Sequence, residues 1–235
     1  MKQEKQLLLD IYRRLFEHFG PRRWWPAETP FEVMVGAILT QNTAWANVKQ
    51  AMANLEAEGA LEPKALAKVP LPKLRRLIRP SGYYNQKAKK LRAFLRFFLA
   101  EPYRGSIERL AAEDTKKLRE ALLAIWGIGP ETADSILLYA LEKPVFVADA
   151  YTRRVFARLG LTPPQASYAE LQEFFTRRLP QDIELYNDYH AQVVALGNRH
   201  CRARPACELC PLKSLGRCRM DKNQGRKRTA SKKTS

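Results

Sequence analysis

The chain has 235 residues, 46% of them hydrophobic, and its 41 Lys and Arg against 24 Asp and Glu leave a formal net charge of +17. A chain of this length buries roughly 70% of its unfolded surface, so disorder is excluded as the overall state. No apolar run approaches the ~20 residues needed to span a bilayer. The start, Met1-Lys2-Gln3-Glu4-Lys5, has no apolar signal region behind its basic residues, so the expected location is cytoplasmic, at the nucleoid in a bacterium. The excess positive charge calls for an acidic partner. Nucleic acid is favoured over anionic lipid, because the helices carry ordinary core-facing stripes and phosphate binding needs only clustered Lys and Arg.

In chain order, apolar residues recur at three- and four-residue steps in Leu7, Leu8, Ile11, Leu15 and Phe19, and again in Leu91, Phe94, Phe97 and Phe98. Pro and Gly punctuate the chain near Gly20-Pro21, Glu62-Pro63, Pro70 to Pro72, Pro80-Ser81-Gly82, Glu101-Pro102 and Thr162-Pro163-Pro164. No strand pattern emerges, and the predicted class is all-α. Residues 118–125 predict a helix, Trp126-Gly127-Ile128-Gly129-Pro130 a tight turn, and residues 131–141 a second helix, which together make a helix-hairpin-helix. Gly127 and Gly129 let backbone approach a phosphate, and the N–H groups of the turn and of the second helix start form an anion site that reads no sequence. Trp126 is read as a core residue. Beyond the hairpin, Val145-Phe-Val-Ala-Asp149 puts an acid at a predicted helix start, where capping alone accounts for an Asp. Residues 219–235 read as a basic disordered tail, either solubilising or contacting DNA; from Asp221 onward it carries a net charge of +5, which leaves +12 on the preceding part.

All four cysteines lie in one segment, Cys201, Cys207, Cys210 and Cys218, and the first 200 residues contain none. A cytosolic chain with a close Cys207-Glu-Leu-Cys210 pair argues for metal ligation over disulfides. Four thiolates suit a tetrahedral zinc or a [4Fe–4S] cluster. Structural zinc usually takes two close pairs; one close pair flanked by single cysteines favours the cluster, with zinc as the alternative. The role expected of it is structural or DNA-positioning, since Arg202, Arg204, Lys213, Arg217 and Arg219 sit among the ligands.

The ordered set of Gly127-Ile128-Gly129, Asp149 downstream and a terminal four-cysteine loop resembles the endonuclease III superfamily of helix-hairpin-helix DNA glycosylases. Three further segments, Trp24-Trp25-Pro26, Gly36-Ala-Ile-Leu-Thr-Gln-Asn-Thr43 and Pro80-Ser-Gly-Tyr-Tyr-Asn-Gln-Lys-Ala88, are similar to its 3-methyladenine DNA glycosylase III branch. The resemblance covers nearly the whole chain apart from the tail. It implies two helical lobes with a DNA-binding groove between them, one of residues 28–143 and the other of residues 1–27 with 144–218. It also implies a monomer acting on double-stranded DNA with the damaged base flipped into a pocket. By the same resemblance, Trp24, Trp25, Pro26 and Trp45 line that pocket and Gln41 fills the vacated stack. Two departures stand out. The last cysteine follows seven intervening residues where the endonuclease III pattern has five, and the glycosylase III branch lacks such a loop. The lysine that bifunctional members carry just after the hairpin is here Glu131, so strand cleavage by a Schiff base at that position is lost.

These residues define a mechanism. An N-alkylated purine is cationic, so indole faces above and below it add stacking and cation–π attraction on the order of 1–3 kcal/mol per face. It is also a good leaving group, and the developing sugar cation is what needs help: Asp149 as a carboxylate stabilises it and orients water. The expected function is a monofunctional glycosylase for alkylated purines of the 3-methyladenine type. The alternatives are a glycosylase for uracil, mismatched thymine or adenine, a non-catalytic DNA-binding protein, and a lyase with a displaced lysine. The preferred base and the roles of Glu131, His18, His190 and His200 stay open on sequence alone.

Overall fold

The computed structural model describes residues 2–22 and 25–218, and their regular secondary structure is entirely helical, with no strand among them. The expected tail, 219–235, and Trp24 lie outside the described residues. The chain forms two compact units, Met1–Trp24 with Val145–Ser235, and Trp25–Pro144. Trp25 and Pro26, assigned on sequence to the same lobe as the N-terminal helix, therefore group with 25–144; the Trp25 ring packs on Trp45 and Tyr139 of that unit. No helix among the described residues is long and apolar enough to cross a membrane.

The 25–144 unit holds helices α2 (Pro30–Leu39), α3 (Trp45–Ala57), α4 (Pro63–Lys68), α5 (Leu71–Leu77), α6 (Tyr84–Leu99), α7 (Ile107–Ala112), α8 (Thr115–Leu123) and α9 (Pro130–Ser135). The proline punctuation is realised as helix starts: Pro30, Pro63 and Pro130 each sit in a first turn, where a missing N–H costs nothing. Helix α2 is the centre of the unit. Thr29 and Glu32 cap it, and from Phe31 to Leu39 nearly every residue is buried, so it is enclosed on all sides. α6 lies against it through Leu91, Phe94 and Phe98, with Phe31 and Phe94 both stacked on Phe98 at 6.1 and 5.7 Å. Lys87 of α6 is fully buried, and its amine donates to the carbonyls of Leu39 (2.8 Å) and Ser81 (2.6 Å). Burial, and then the charge of Lys90, push that amine down to about 8.

The other unit packs α1 (Lys2–Phe19), α10 (Ala150–Arg158), α11 (Tyr168–Thr176) and α12 (Ile183–Arg199) around an aromatic core. Phe146 stacks on Phe175 at 4.2 Å, and Phe156 meets Phe175 edge-on at 4.7 Å. The buried Tyr189 hydroxyl donates to the Leu8 carbonyl and joins α12 to α1.

The helix predicted over 131–141 is interrupted. α9 ends at Ser135 and a wider π turn, Ile136–Ala140, continues it. Asp134, fully buried on α9, receives a two-pronged bond from Arg119 of α8 at 2.6 and 3.0 Å, so the two arms of the hairpin are tied by one ion pair. Removing the cation takes a charge partner from a buried carboxylate. Arg119→Met is expected to destabilise the protein by about 3 kcal/mol, measured by urea unfolding; a loss below about 1 kcal/mol would show that the pair does not hold the hairpin.

Candidate functional site

Asp149 is the N-cap of α10. Its Oδ1 accepts from the backbone N–H (2.8 Å) and the hydroxyl (2.9 Å) of Thr152, and both residues are buried. The capping role and the expected acid are thus one side chain. Its second oxygen, Oδ2, lies 3.6 Å from Nε2 of His190, a buried residue of α12. Desolvation raises the acid's pKa, but the neighbouring His190 imidazole and the two Thr152 donors outweigh it and hold the carboxyl below its ordinary value. A lowered pKa gives stabilisation that is present above the unfolded value near 3.9 and is lost as pH falls through the folded value. The group is an ionised carboxylate at neutral pH, with one oxygen pinned and the other facing an imidazole. His190, unassigned on sequence, is the partner that reasoning along the chain misses.

Around the acid, α10 also anchors the cysteine loop. Arg154 donates to the carbonyls of Cys201 (2.7 Å) and Gly197 (3.2 Å), and Arg158 reaches the Cys201 sulfur at 3.2 Å and the Arg202 carbonyl at 2.6 Å. Cys201, Cys207, Cys210 and Cys218 all line one small cavity of about 30 Å³, together with Leu159, Leu196, Leu212, Arg158 and Lys213. Burial, followed by the other three cysteines, pushes the Cys210 thiol up to about 11. Among the described residues, no three His, Cys, Asp or Glu stand close enough to share a single metal ion.

In the 25–144 unit, Trp25 is held at φ +68°, a strained conformation for a bulky residue. Its ring meets Trp45 edge to face (5.4 Å, 74°) and leans on Tyr139 (5.2 Å, 33°). This edge-to-face contact is the arrangement that the ring quadrupoles favour. Gly36 makes room for Trp25, since a Cβ there would stand 3.1 Å from the indole nitrogen. Trp25, Pro26 and Trp45 line a cavity of about 500 Å³ with Met52, Leu61, Lys49 and three carboxylates, Glu28, Glu32 and Glu56.

The hairpin turn differs from expectation in detail. Gly127 has φ +86° and needs to be glycine, but Gly129, at φ −94° and ψ 176°, is extended backbone that any residue adopts. Ile128 is buried, Pro130 lacks an N–H, and Trp126 is 57% exposed, so it is not a core residue. A turn residue beside two glycines has little structure to bury it. Gln41 lies against this turn: its amide nitrogen donates to the Gly127 carbonyl (3.1 Å) and the Thr132 hydroxyl (2.9 Å), and its oxygen accepts from Lys90.

Residues 35–181 match the family model described as the HhH-GPD superfamily base excision DNA repair protein. A Methanocaldococcus jannaschii protein named as a DNA repair glycosylase is 48% identical over 218 residues, 92% of this chain and 98% of that one. Endonuclease III of Thermotoga maritima is 32% identical over 79% of this chain and 81% of its own. Among solved structures, a non-covalent endonuclease III–DNA complex has a TM-score of 0.79 at 26% identity, covering 96% of this chain and 99% of that one. The H. pylori 3-methyladenine DNA glycosylase bound to 1,N6-ethenoadenine has a TM-score of 0.68 at 30% identity, covering 83% and 95%.

The capping geometry lets the contribution of Asp149 to stability be isolated. Asp149→Ala is expected to cost about 1–2 kcal/mol, whereas Asp149→Asn keeps an acceptor for the Thr152 N–H and loses less than half of that. Urea unfolding at neutral pH checks the order; equal losses would show that capping is not what the side chain contributes to stability.

Proposed function

The chain belongs to the HhH-GPD superfamily of base excision DNA repair proteins, DNA glycosylases, and from that premise we propose that it is a monofunctional glycosylase excising alkylated purines of the 3-methyladenine type from duplex DNA. The observation that carries the glycosylase chemistry is Asp149: a buried carboxylate, kept ionised by Thr152 and His190. As the C1′–N bond of the flipped nucleotide stretches, this carboxylate stabilises the oxocarbenium character of the sugar, and its oxygen accepts a proton from the incoming water. The alkylated purine leaves as a neutral base and needs little acid assistance.

The substrate class rests on the cavity at Trp25, Pro26 and Trp45, where indole rings and three carboxylates, set against the one cation Lys49, line one space. Both features favour a cationic base over a neutral one. Gln41 serves as the residue that enters the vacated stack, and the turn Gly127-Ile128-Gly129 grips the DNA backbone. At the position of the Schiff-base lysine this chain has the exposed Glu131, which cannot form an imine.

The four cysteines fit a [4Fe–4S] cluster. All four line one cavity, and the single close pair Cys207 and Cys210, flanked by the lone Cys201 and Cys218, favours a cluster over zinc. Apolar Leu159, Leu196 and Leu212 with Arg158 and Lys213 suit an anionic group. Cys201, Cys207, Cys210 and Cys218 would hold the cluster, which would brace a loop that Arg154 and Arg158 already anchor on α10. Purified protein is expected to contain iron and sulfide, and Cys210→Ser to lose both; zinc in place of iron would overturn the cluster.

The test of function is release of bases from methylated duplex DNA. Wild type is expected to free methylpurines with no adduct trapped by borohydride, and Asp149→Asn to be at least about a hundredfold slower at unchanged duplex affinity. Release of uracil or of mismatched thymine or adenine instead would refute the alkylpurine assignment while keeping the glycosylase; duplex binding indifferent to Asp149→Asn, with no base released, would point to a binding protein.

A further inference from the structure

Two lysines of α6 reach to the C-terminal end of α2. Lys87 donates to the Leu39 carbonyl, and one turn on, Lys90 donates to the side-chain oxygen of Gln41, in the turn that follows α2. Lys90 is set into the unit: burial lowers its amine's pKa, and its stem crosses the hairpin. A Cβ at Gly127 would lie 2.5–2.8 Å from Cγ, Cδ and Cε of Lys90, so glycine at this position serves both the left-handed turn and the passage of the lysine. Gln41 is thereby fully committed. Both protons of its amide are used, by the Gly127 carbonyl and the Thr132 hydroxyl, and its oxygen takes the ammonium. The three contacts fix which way the amide points, since a flip would set its oxygen against a carbonyl and its nitrogen against a cation.

We propose that Lys90 is a positioning residue that registers Gln41 against the hairpin, so that the side chain entering the DNA stack and the turn gripping a phosphate act as one piece. The inference rests on the glycosylase reading, because it is there that Gln41 fills the stack. A lysine that merely met phosphate would leave its amine in solvent; here the amine is spent on Gln41, and the charge-assisted bond is made inside the protein. The consequence is a split between binding and flipping. Loss of the Lys90 amine leaves affinity for undamaged duplex, and lets Gln41 leave its register, so the damaged base returns to the stack more often.

The experiment compares wild type, Lys90→Met, Lys90→Arg, Gln41→Ala and the Lys90→Met/Gln41→Ala pair. Lys90→Met keeps an unbranched stem over Gly127. Three quantities are measured: dissociation constants for an undamaged duplex at several salt concentrations, single-turnover excision, and the fluorescence of 2-aminopurine beside the lesion, which reports unstacking. The expected result is single-turnover excision and unstacking at least about tenfold lower in Lys90→Met, the scale of one hydrogen bond to a charged group. Duplex affinity stays within about twofold with an unchanged salt slope. Lys90→Arg recovers most of the rate, and the double variant is no slower than the worse single. Additive losses, wild-type excision by Lys90→Met, or weakened binding with a salt slope reduced by about 0.9 would overturn the proposal, the last by making Lys90 a simple phosphate contact. A wild-type protein that excises no base would overturn this inference together with the glycosylase reading, whereas an active wild type matched by Lys90→Met would overturn the inference alone.

Discussion

An acid that must stay ionised in a water-poor place needs donors, and the first turn of a helix supplies them. Asp149 takes this solution: the N–H and hydroxyl of Thr152 occupy one oxygen, and His190 faces the other. The same bonds that begin α10 hold the carboxyl below its ordinary pKa against desolvation. Because His190 comes from α12, the carboxylate depends on the spacing of α10 and α12. That spacing is set by the aromatic core of Phe146, Phe156, Phe175 and Tyr189. It is reinforced beyond the acid, where Tyr151 donates to Asn198 and Arg154 to the Gly197 and Cys201 carbonyls. One short helix thus carries the acid at its start and the anchor of the cysteine loop along its length.

The 25–144 unit solves a different problem, which is to place loop residues precisely without a loop of their own stiffness. It does so from a helix buried on every side. The C-terminal end of α2 leaves carbonyls without intrahelical partners, and α6 answers with cations: the Lys87 amine on the Leu39 carbonyl, then the Lys90 amine on Gln41. Burying Lys87 costs free energy that its two carbonyl bonds offset, and the lowered pKa records the remaining strain on the charge. Hairpin, α2 turn and the Trp25 cluster are all attached to this one helix, through Gln41, through its own C-terminus and through Gly36.

Local features are legible along the chain. Asp149, the proline-marked helix starts and the four-cysteine loop each depend on residues a few positions apart, and such signals survive without knowledge of packing. The all-helical class follows from periodicity for the same reason. What is not legible depends on contacts between distant segments. Gln41 and Thr132 are 91 positions apart, and nothing in either segment announces the pairing. His190 is an ordinary buried position of an apolar helix face until α10 is brought against it. Trp126 reads as core because an indole is apolar on average, whereas the turn beside it offers no surface to cover it. The helix expected over 131–141 is interrupted by a π turn, which alters register without any break in hydrophobicity, and the indoles of Trp25 and Trp45 meet edge to face because aromatic geometry is decided in the packed state.

The central claim is that a buried, ionised Asp149 carries the chemistry. The most direct measurement is the pH dependence of single-turnover excision on a duplex bearing a base that the wild type releases, followed from neutral pH down toward pH 4. With the Asp149 pKa below its ordinary value, the rate is predicted to show no protonation of a carboxylate above about pH 5. A loss of rate centred at or above about pH 5 that tracks protonation of Asp149 in a carboxyl-carbon NMR titration would contradict the account, since it would require the acid's pKa to be raised by burial instead of lowered by Thr152 and His190.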